Sequence, residues 1–287
     1  MHPNFLQIVF INSSIFKLYP IYTGLKKALF IILSISTLTA NAQIKVSTKD
    51  SLKTDSANLL ALPDTVKPLR SKWPSFIPPA VFVTYGALSF KVKAIRDLDF
   101  SIDRDAQQDH PGNLYPVENY LQYAPIALVY GLNFAGVHGK NTFIDRSILL
   151  GMSEGIFGLV TFGLKSSSDR LRPNGADRLS FPSGHSGSAF VAAEFMAQEY
   201  GDKSPWYGVL GYTCASATAI LRVYNHKHWF SDIVAGAGFG ILSAKAAYAL
   251  YPLFRNKLFH DDNSKKQTLI MPTFNNGVVG FAFTAQL

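Results

Sequence analysis

The chain has one cysteine in 287 residues, so no disulfide can form within it and packing must supply its stability. That residue, Cys214, sits in the uncharged stretch GYTCASATAIL with no flanking cation to lower its pKa, which reads as a buried, inert thiol rather than a nucleophile. Charge is also scarce. Asp, Glu, Lys and Arg make up 16% of the chain, against about 25% in ordinary soluble proteins. Apolar residues reach 48%, which excludes a disordered chain. No zinc-type Cys/His spacing, internal repeat or RNA-binding signature is present, so nucleic acid is not an expected partner and no metal site is expected. What charge there is leans positive, to a net +8. That excess suits anionic lipid or phosphorylated substrates, and equally a scatter of solvated lysines and arginines.

Composition shifts divide the chain. Residues 26–43, KKALFIILSISTLTANAQ, combine a basic start, an apolar run over Ala28 to Leu38 and the small residues Ala40 and Ala42 around Asn41. This predicts an export signal over 1–42, cut before Gln43, with an uncleaved anchor as the alternative. A polar, Pro- and Ser-containing linker over 43–72 follows. Six apolar blocks then occupy the domain predicted at 73–258: about 74–90, 117–137, 143–165, 185–200, 205–223 and 229–254. None alternates with a strand period, so the expected fold is all-α, a six-helix bundle. Beyond it, HDDNSKKQ reads as a second linker, and runs flanking Asn276-Gly277 predict a C-terminal β-hairpin within 259–287.

A helix crossing a bilayer needs about 20 apolar residues. Asn119 to Val137 meets this and Ser204 to Leu221 nearly does. Asp145, Arg146, Glu154 and Glu194 interrupt other blocks and are expected to face the bundle interior.

Three clusters carry the chemistry. In KSSSDRLRP, Lys165 and Arg172 lie seven apart, on one helix face two turns apart, and Pro173 ends the element. In FPSGHS, Pro182 sets a turn, Ser183 can cap the helix that follows, and Gly184 clears room for backbone N–H groups to meet an anion. His185 stands at its mouth, placed to pass a proton to a leaving oxygen. In LRVYNHKHWFSD, His228 and Asp232 are four apart, so the carboxylate is expected to accept from one ring nitrogen and leave the other free to attack. Arg222 adds a third cation. His226, whose neighbour four residues on is Phe230, reads as a bystander. Each cluster alone also reads as ordinary capping or internal ion pairing, with Asp169 between Lys165 and Arg172. Together they are what phosphoryl transfer without a metal requires.

The order Lys-x6-Arg-Pro, Pro-Ser-Gly-His, Arg-x5-His-x3-Asp resembles the signature of the phosphatidic acid phosphatase type 2 and vanadium haloperoxidase superfamily. The resemblance covers about residues 74–255. It implies a helical core on which the three motifs converge, with His228 forming a phosphohistidine, Asp232 orienting it and His185 acting as general acid. Lys165, Arg172, Ser183, Gly184 and Arg222 would hold the phosphoryl oxygens. Two departures stand out. Leu221 replaces the small hydroxyl residue often found before the arginine, and only eight residues separate Pro173 from Pro182. The expected activity is a metal- and cofactor-independent phosphatase of the cell envelope acting on a phosphomonoester or pyrophosphate. Its expected substrates are phosphatidic acid, an isoprenyl pyrophosphate or a lipid A phosphate, or a small phosphoester. The alternatives are a vanadium-dependent haloperoxidase and a non-catalytic membrane protein that binds lipid phosphate. If all six blocks spanned, the helix ending at Lys165 would end inside. A site facing the periplasm therefore requires some blocks not to span, or a domain lying against the membrane surface.

Overall fold

The computed structural model describes residues 73–109, 115–258, 268–275 and 278–285. The expected export signal, the first linker, residues 259–267 and the Asn276-Gly277 turn lie outside the described residues. A short 3-10 turn, Trp73–Phe76, leads into α1 (Ile77–Leu88), whose opening prolines Pro78 and Pro79 suit a first helical turn. Then come α2 (Lys93–Asp109), α3 (Glu118–Leu121), α4 (Ala124–Phe134), α5 (Phe143–Ser168), α6 (Gly184–Tyr200), α7 (Pro205–Tyr224) and α8 (Phe230–Leu258). Strands β1 (Thr268–Asn275) and β2 (Val278–Ala285) pair antiparallel, with Asn275 opposite Val278.

α6 is the central element. It packs between α7 and α8, while α1 and α5 lie against α8 and α4 against α6. Small residues permit this closeness. Ala189, Ala192, Ala193 and Ala197 are buried along α6. A Cβ on Gly240 of α8 would stand 2.3 Å from the Gly187 carbonyl oxygen, and one on Gly236 would stand 2.5 Å from that of Ser183. Two further bonds lock the start of α6 to α8: Ser183 N–H donates to Asp232 O at 3.1 Å, and Ser186 Oγ donates to Ile233 O at 2.7 Å.

The helix set differs from the six expected blocks in two places. α2, KAIRDLDFSIDRDAQQD, was absent from them because charges outnumber its apolar residues, yet Asp99, Ile102 and Ala106 form a buried stripe at helical spacing. It turns 91° from α1 and crosses the end of the bundle where α7 finishes and α8 begins. Block 117–137 is not one helix. It breaks at Gln122-Tyr123, and Pro125 opens the 11-residue α4. Asn119 to Val137 is therefore no single span, for a reason that counting apolar residues could not show. Among the described residues, the helices long and apolar enough to cross a membrane are Phe143–Ser168 and Phe230–Asn256, or three spans if the bent α1–α2 pair counts as one. This is the build of a membrane protein.

Charges on these helices turn inward, as expected. Arg146 Nε donates to Glu199 Oε2 at 2.9 Å with both side chains fully buried, Tyr248 Oη donates to the same carboxylate at 2.7 Å, and Tyr251 Oη donates to Asp145 at 2.6 Å. Lys245 Nζ meets Glu194 at 2.9 Å. Glu154, half-buried, accepts from Ser188 Oγ at 3.0 Å. In an apolar interior such groups persist only when paired. Cys214 is free and half-buried, and burial pushes its thiol pKa up.

Candidate active site

Four helix ends and two loops meet at one end of the bundle. The C-terminus of α5 brings Lys165, and Asp169 at φ 45° closes that helix. The loop that follows folds back on itself: Arg172 N–H donates to Asp177 O at 3.0 Å, Gly175 N–H to Arg172 O at 3.0 Å and Ser180 N–H to Arg170 O at 3.0 Å. Its eight residues make a tight turn rather than a lid. Lys165 Nζ donates to Leu179 O at 2.5 Å, tying the helix end to the far arm of the turn. Asp169 does not neutralise Lys165 or Arg172. It pairs with Arg178 at 2.6 Å on the exposed side.

His228 is the centre of the arrangement and is almost wholly buried. Its Nδ1 donates to Ser180 O at 2.8 Å, and Arg172 Nη1 lies 3.0 Å from its Nε2. A guanidinium can only donate, so Nε2 is the unprotonated nitrogen with its lone pair toward the cations. The expected direct bond from Asp232 is absent: Oδ2 stands 3.9 Å from Nδ1. The reason is local. α8 starts at Phe230, so His228 precedes the helix and the two residues do not stack. Asp232 Oδ2 instead accepts from the Trp229 N–H at 3.0 Å and from Ser180 Oγ at 2.5 Å. The carboxylate holds the serine, and the serine's carbonyl holds the ring.

Ser183 caps α6, its Oγ accepting from Ser186 N–H at 3.4 Å. A Cβ built on Gly184 meets nothing within 4 Å, so the space over the first turn of α6 is open. Arg222 Nη1 donates to Glu118 Oε1 at 3.1 Å, and Asn225 Nδ2 donates to the same oxygen at 2.8 Å. Arg222 Nε, though buried, has no hydrogen-bond partner among the described residues and keeps a donor in reserve. Arg172 Nε is held by Asp177 Oδ1 at 2.8 Å.

Electrostatics show that the two histidines share one environment. Burial, then Arg172, Arg222 and Lys165, hold His228 well below the usual histidine pKa. Burial, then Arg222, with Arg172 and Lys165 further down, lower His185 to about 4, while Glu118 pulls the other way. The same three cations act on both rings. His226 stands apart: at φ 55°, its Nδ1 lies 2.7 Å from Asp103 Oδ1. Its partner comes from α2, not from its own helix, and ties α2 to the turn before α8.

Four residues at this site escaped the motif reading: Arg170, Asp99, Ser180 and Glu118. Arg170 Nη2 donates to Asp99 Oδ2 at 2.6 Å and its Nη1 lies 2.9 Å from Asp232 Oδ1. Only the burial of Asp99 on a stripe with Ile102 and Ala106 could have hinted at α2's part.

Residues 147–256, from α5 to α8, match the family described as the PAP2 superfamily. Over this region the chain is similar to that superfamily. The region contains all three motif clusters, whereas Asp99 and Glu118 lie before it. Lipid A 1-phosphatase of Porphyromonas gingivalis is 36% identical over 187 residues, which cover 64% of this chain and 39% of that protein. The chain thus spans well under half the length of this curated relative. The crystal structure of a transmembrane PAP2 type phosphatidylglycerolphosphate phosphatase from Bacillus subtilis is 22% identical, with a TM-score of 0.46, covering 64% of this chain and 96% of that one.

Proposed function

We propose that this PAP2-like domain is a metal-independent phosphatase that removes phosphate from a lipid-linked phosphomonoester or pyrophosphate through a phosphohistidine. The observation that carries this reading is the fixed tautomer of His228, with Nδ1–H on Ser180 O and the Nε2 lone pair at 3.0 Å from Arg172. Lys165, Arg172, Arg222 and the Gly184 amide at the start of α6 hold the phosphoryl oxygens, while the Ser183 amide stays on Asp232 O and fixes that helix start. Arg172 rests on the attacking nitrogen until phosphate arrives, then exchanges that hydrogen bond for a phosphoryl oxygen. Nε2 forms the P–N bond as the P–O bond to the leaving group breaks, and His185 gives that oxygen its proton. Water then attacks phosphorus, His185 takes a proton from it, and the P–N bond breaks to free His228 and phosphate. At pH 7 His185 without substrate is neutral, because its pKa is about 4. A phosphate dianion among the cations reverses that depression and readies the acid.

The lipid part of the reading rests on the apolar helices around the site and on the likeness to a lipid A 1-phosphatase. The site faces the periplasm in this reading, so a topology reporter in the 174–181 loop reports periplasmic. The decisive assay compares phosphate release from phosphatidic acid, a lipid pyrophosphate and a soluble ester, with and without EDTA. Turnover survives EDTA, is inhibited by vanadate and disappears in His228→Ala, and denatured enzyme carries acid-labile, alkali-stable phosphate on histidine. Bromide oxidation gained on adding vanadate and peroxide, with no phosphate release, overturns the proposal in favour of a haloperoxidase.

A further inference from the structure

α2 lies outside the PAP2 match, yet it supplies a carboxylate one ion pair away from the site. Asp99 is 1% exposed. Its Oδ1 accepts from Ser231 N–H at 2.8 Å, and its Oδ2 accepts from Ser231 Oγ at 2.6 Å and Arg170 Nη2 at 2.6 Å. Arg170 Nη1 reaches Ser89 Oγ at 2.8 Å, Ser231 Oγ at 3.0 Å and Asp232 Oδ1 at 2.9 Å. The Phe90 ring lies 5.3 Å from the guanidinium carbon and covers it. One planar guanidinium thus sits between two buried carboxylates, a geometry that a lysine cannot reproduce.

We infer that Asp99 and Arg170 are positioning residues that set the orientation and charge of the nucleophile His228, an inference that rests on the phosphatase reading above. The path is short and continuous. Arg170 Nη1 is ion-paired with Asp232 Oδ1 at 2.9 Å, without a hydrogen bond to that oxygen, Asp232 Oδ2 accepts from the Ser180 hydroxyl, and Ser180 O accepts from His228 Nδ1. Arg170 also acts through its main chain, because its carbonyl accepts from Ser180 N–H at 3.0 Å. Two carboxylates and one guanidinium leave one net negative charge behind the ring, with Asp232 Oδ2 3.9 Å from Nδ1. When Nε2 bonds phosphorus with Nδ1–H retained, the ring becomes positive, and that charge is what the buried anion stabilises. A helix tether that only glued α2 to the bundle would need no link to Asp232.

Asp99→Asn removes one negative charge and keeps the shape. The full chain in detergent, mixed rapidly with p-nitrophenyl phosphate, reports the first-order rate constant of phosphoenzyme formation, which is independent of the fraction of folded enzyme. The expected result is a fall of about ten- to a hundredfold in that constant and in kcat, with KM within about twofold, because the phosphate clamp is untouched. Ser231→Ala keeps every charge but removes one bond each to Asp99 and Arg170, and gives a smaller fall of about threefold or more. Should Asp99→Asn fail to fold, Ser231→Ala decides. Arg170→Lys retains the charge and restores part of the rate lost in Arg170→Met. If wild type turns over while folded Asp99→Asn or, failing that, Ser231→Ala keeps the wild-type rate constant within twofold, the inference is overturned and the phosphatase reading stands. If wild type releases no phosphate from any ester, the phosphatase reading itself falls.

Discussion

Gly236→Ala tests whether the contact between α6 and α8 sets the active geometry. The added Cβ would lie 2.5 Å from the Ser183 carbonyl oxygen and 3.3 Å from Gly187 N and Ser186 Cβ. Carbon and carbonyl oxygen approach to about 3.3 Å in ordinary close contacts, so the start of α6 must retreat by about 0.8 Å. Both atoms in the clash belong to helical backbone or sit directly on it, so no side-chain rotation relieves it. The Ser183 N–H to Asp232 O bond, now 3.1 Å, would stretch toward about 3.9 Å and break. Overpacking of this kind costs about 1–3 kcal/mol, offset by about 0.5–1 kcal/mol because alanine is the better helix former. The net expectation is a modest loss of stability, up to about 2.5 kcal/mol. Activity suffers more. His185 rides on the first turn of α6 while His228 is anchored beside α8, so a displacement near 1 Å between them lowers kcat/KM by about a hundredfold. Gly131→Ala in α4 is the control, since its Cβ meets nothing within 4 Å; it should leave kcat/KM unchanged and raise stability by about 0.5–1 kcal/mol. Thermal unfolding in detergent and phosphate release measure the two effects. Gly236→Ala with wild-type kcat/KM and Tm would refute the claim that this contact holds the site together.

Other outcomes follow from the same coordinates. His185, with a pKa of about 4, and His228, also depressed, prefer to be neutral when folded, whereas the unfolded chain binds their protons near pH 6.5. Their contribution to stability is full above pH 6.5 and is lost as pH falls toward 4, so across that interval the Tm of wild type falls relative to that of His185→Gln. Glu199→Gln leaves the fully buried Arg146 guanidinium without its counter-charge and costs about 3–5 kcal/mol in unfolding experiments. The activity of the folded fraction is unchanged, because this pair sits at the opposite end of α6 from His185. Gly184→Ala leaves Tm unchanged, as its Cβ enters open space, but raises KM because that space lies where the phosphoryl group approaches the α6 amides.

The motifs name most residues of the candidate site. Lys165, Arg172, His185, Arg222 and His228 share one electrostatic environment, as the cations acting on both histidines show. Spacing failed for Asp232, because the i,i+4 rule applies only inside a helix and α8 begins two residues after His228. Block counting failed for α2 and for 117–137. A charged helix hides its one buried stripe in the average, and a turn ahead of Pro125 costs a run none of its apolar residues.

Sequence by itself determined which groups are candidates for the chemistry and the helical character of the segments presenting them, since periodicity, caps and side-chain type are local properties. Only the tertiary structure decided who holds those groups in place. Asp99 reaches Arg170 across 71 residues, Glu118 reaches Arg222 across 104, and Ser180 O reaches His228 across 48. A buried charge or ring nitrogen needs a partner, but nothing local dictates which of the chain's many carboxylates and carbonyls supplies it. That choice is made by packing, when glycine and alanine let α6 and α8 come close enough to bring distant backbone and side chains within 3 Å of one another.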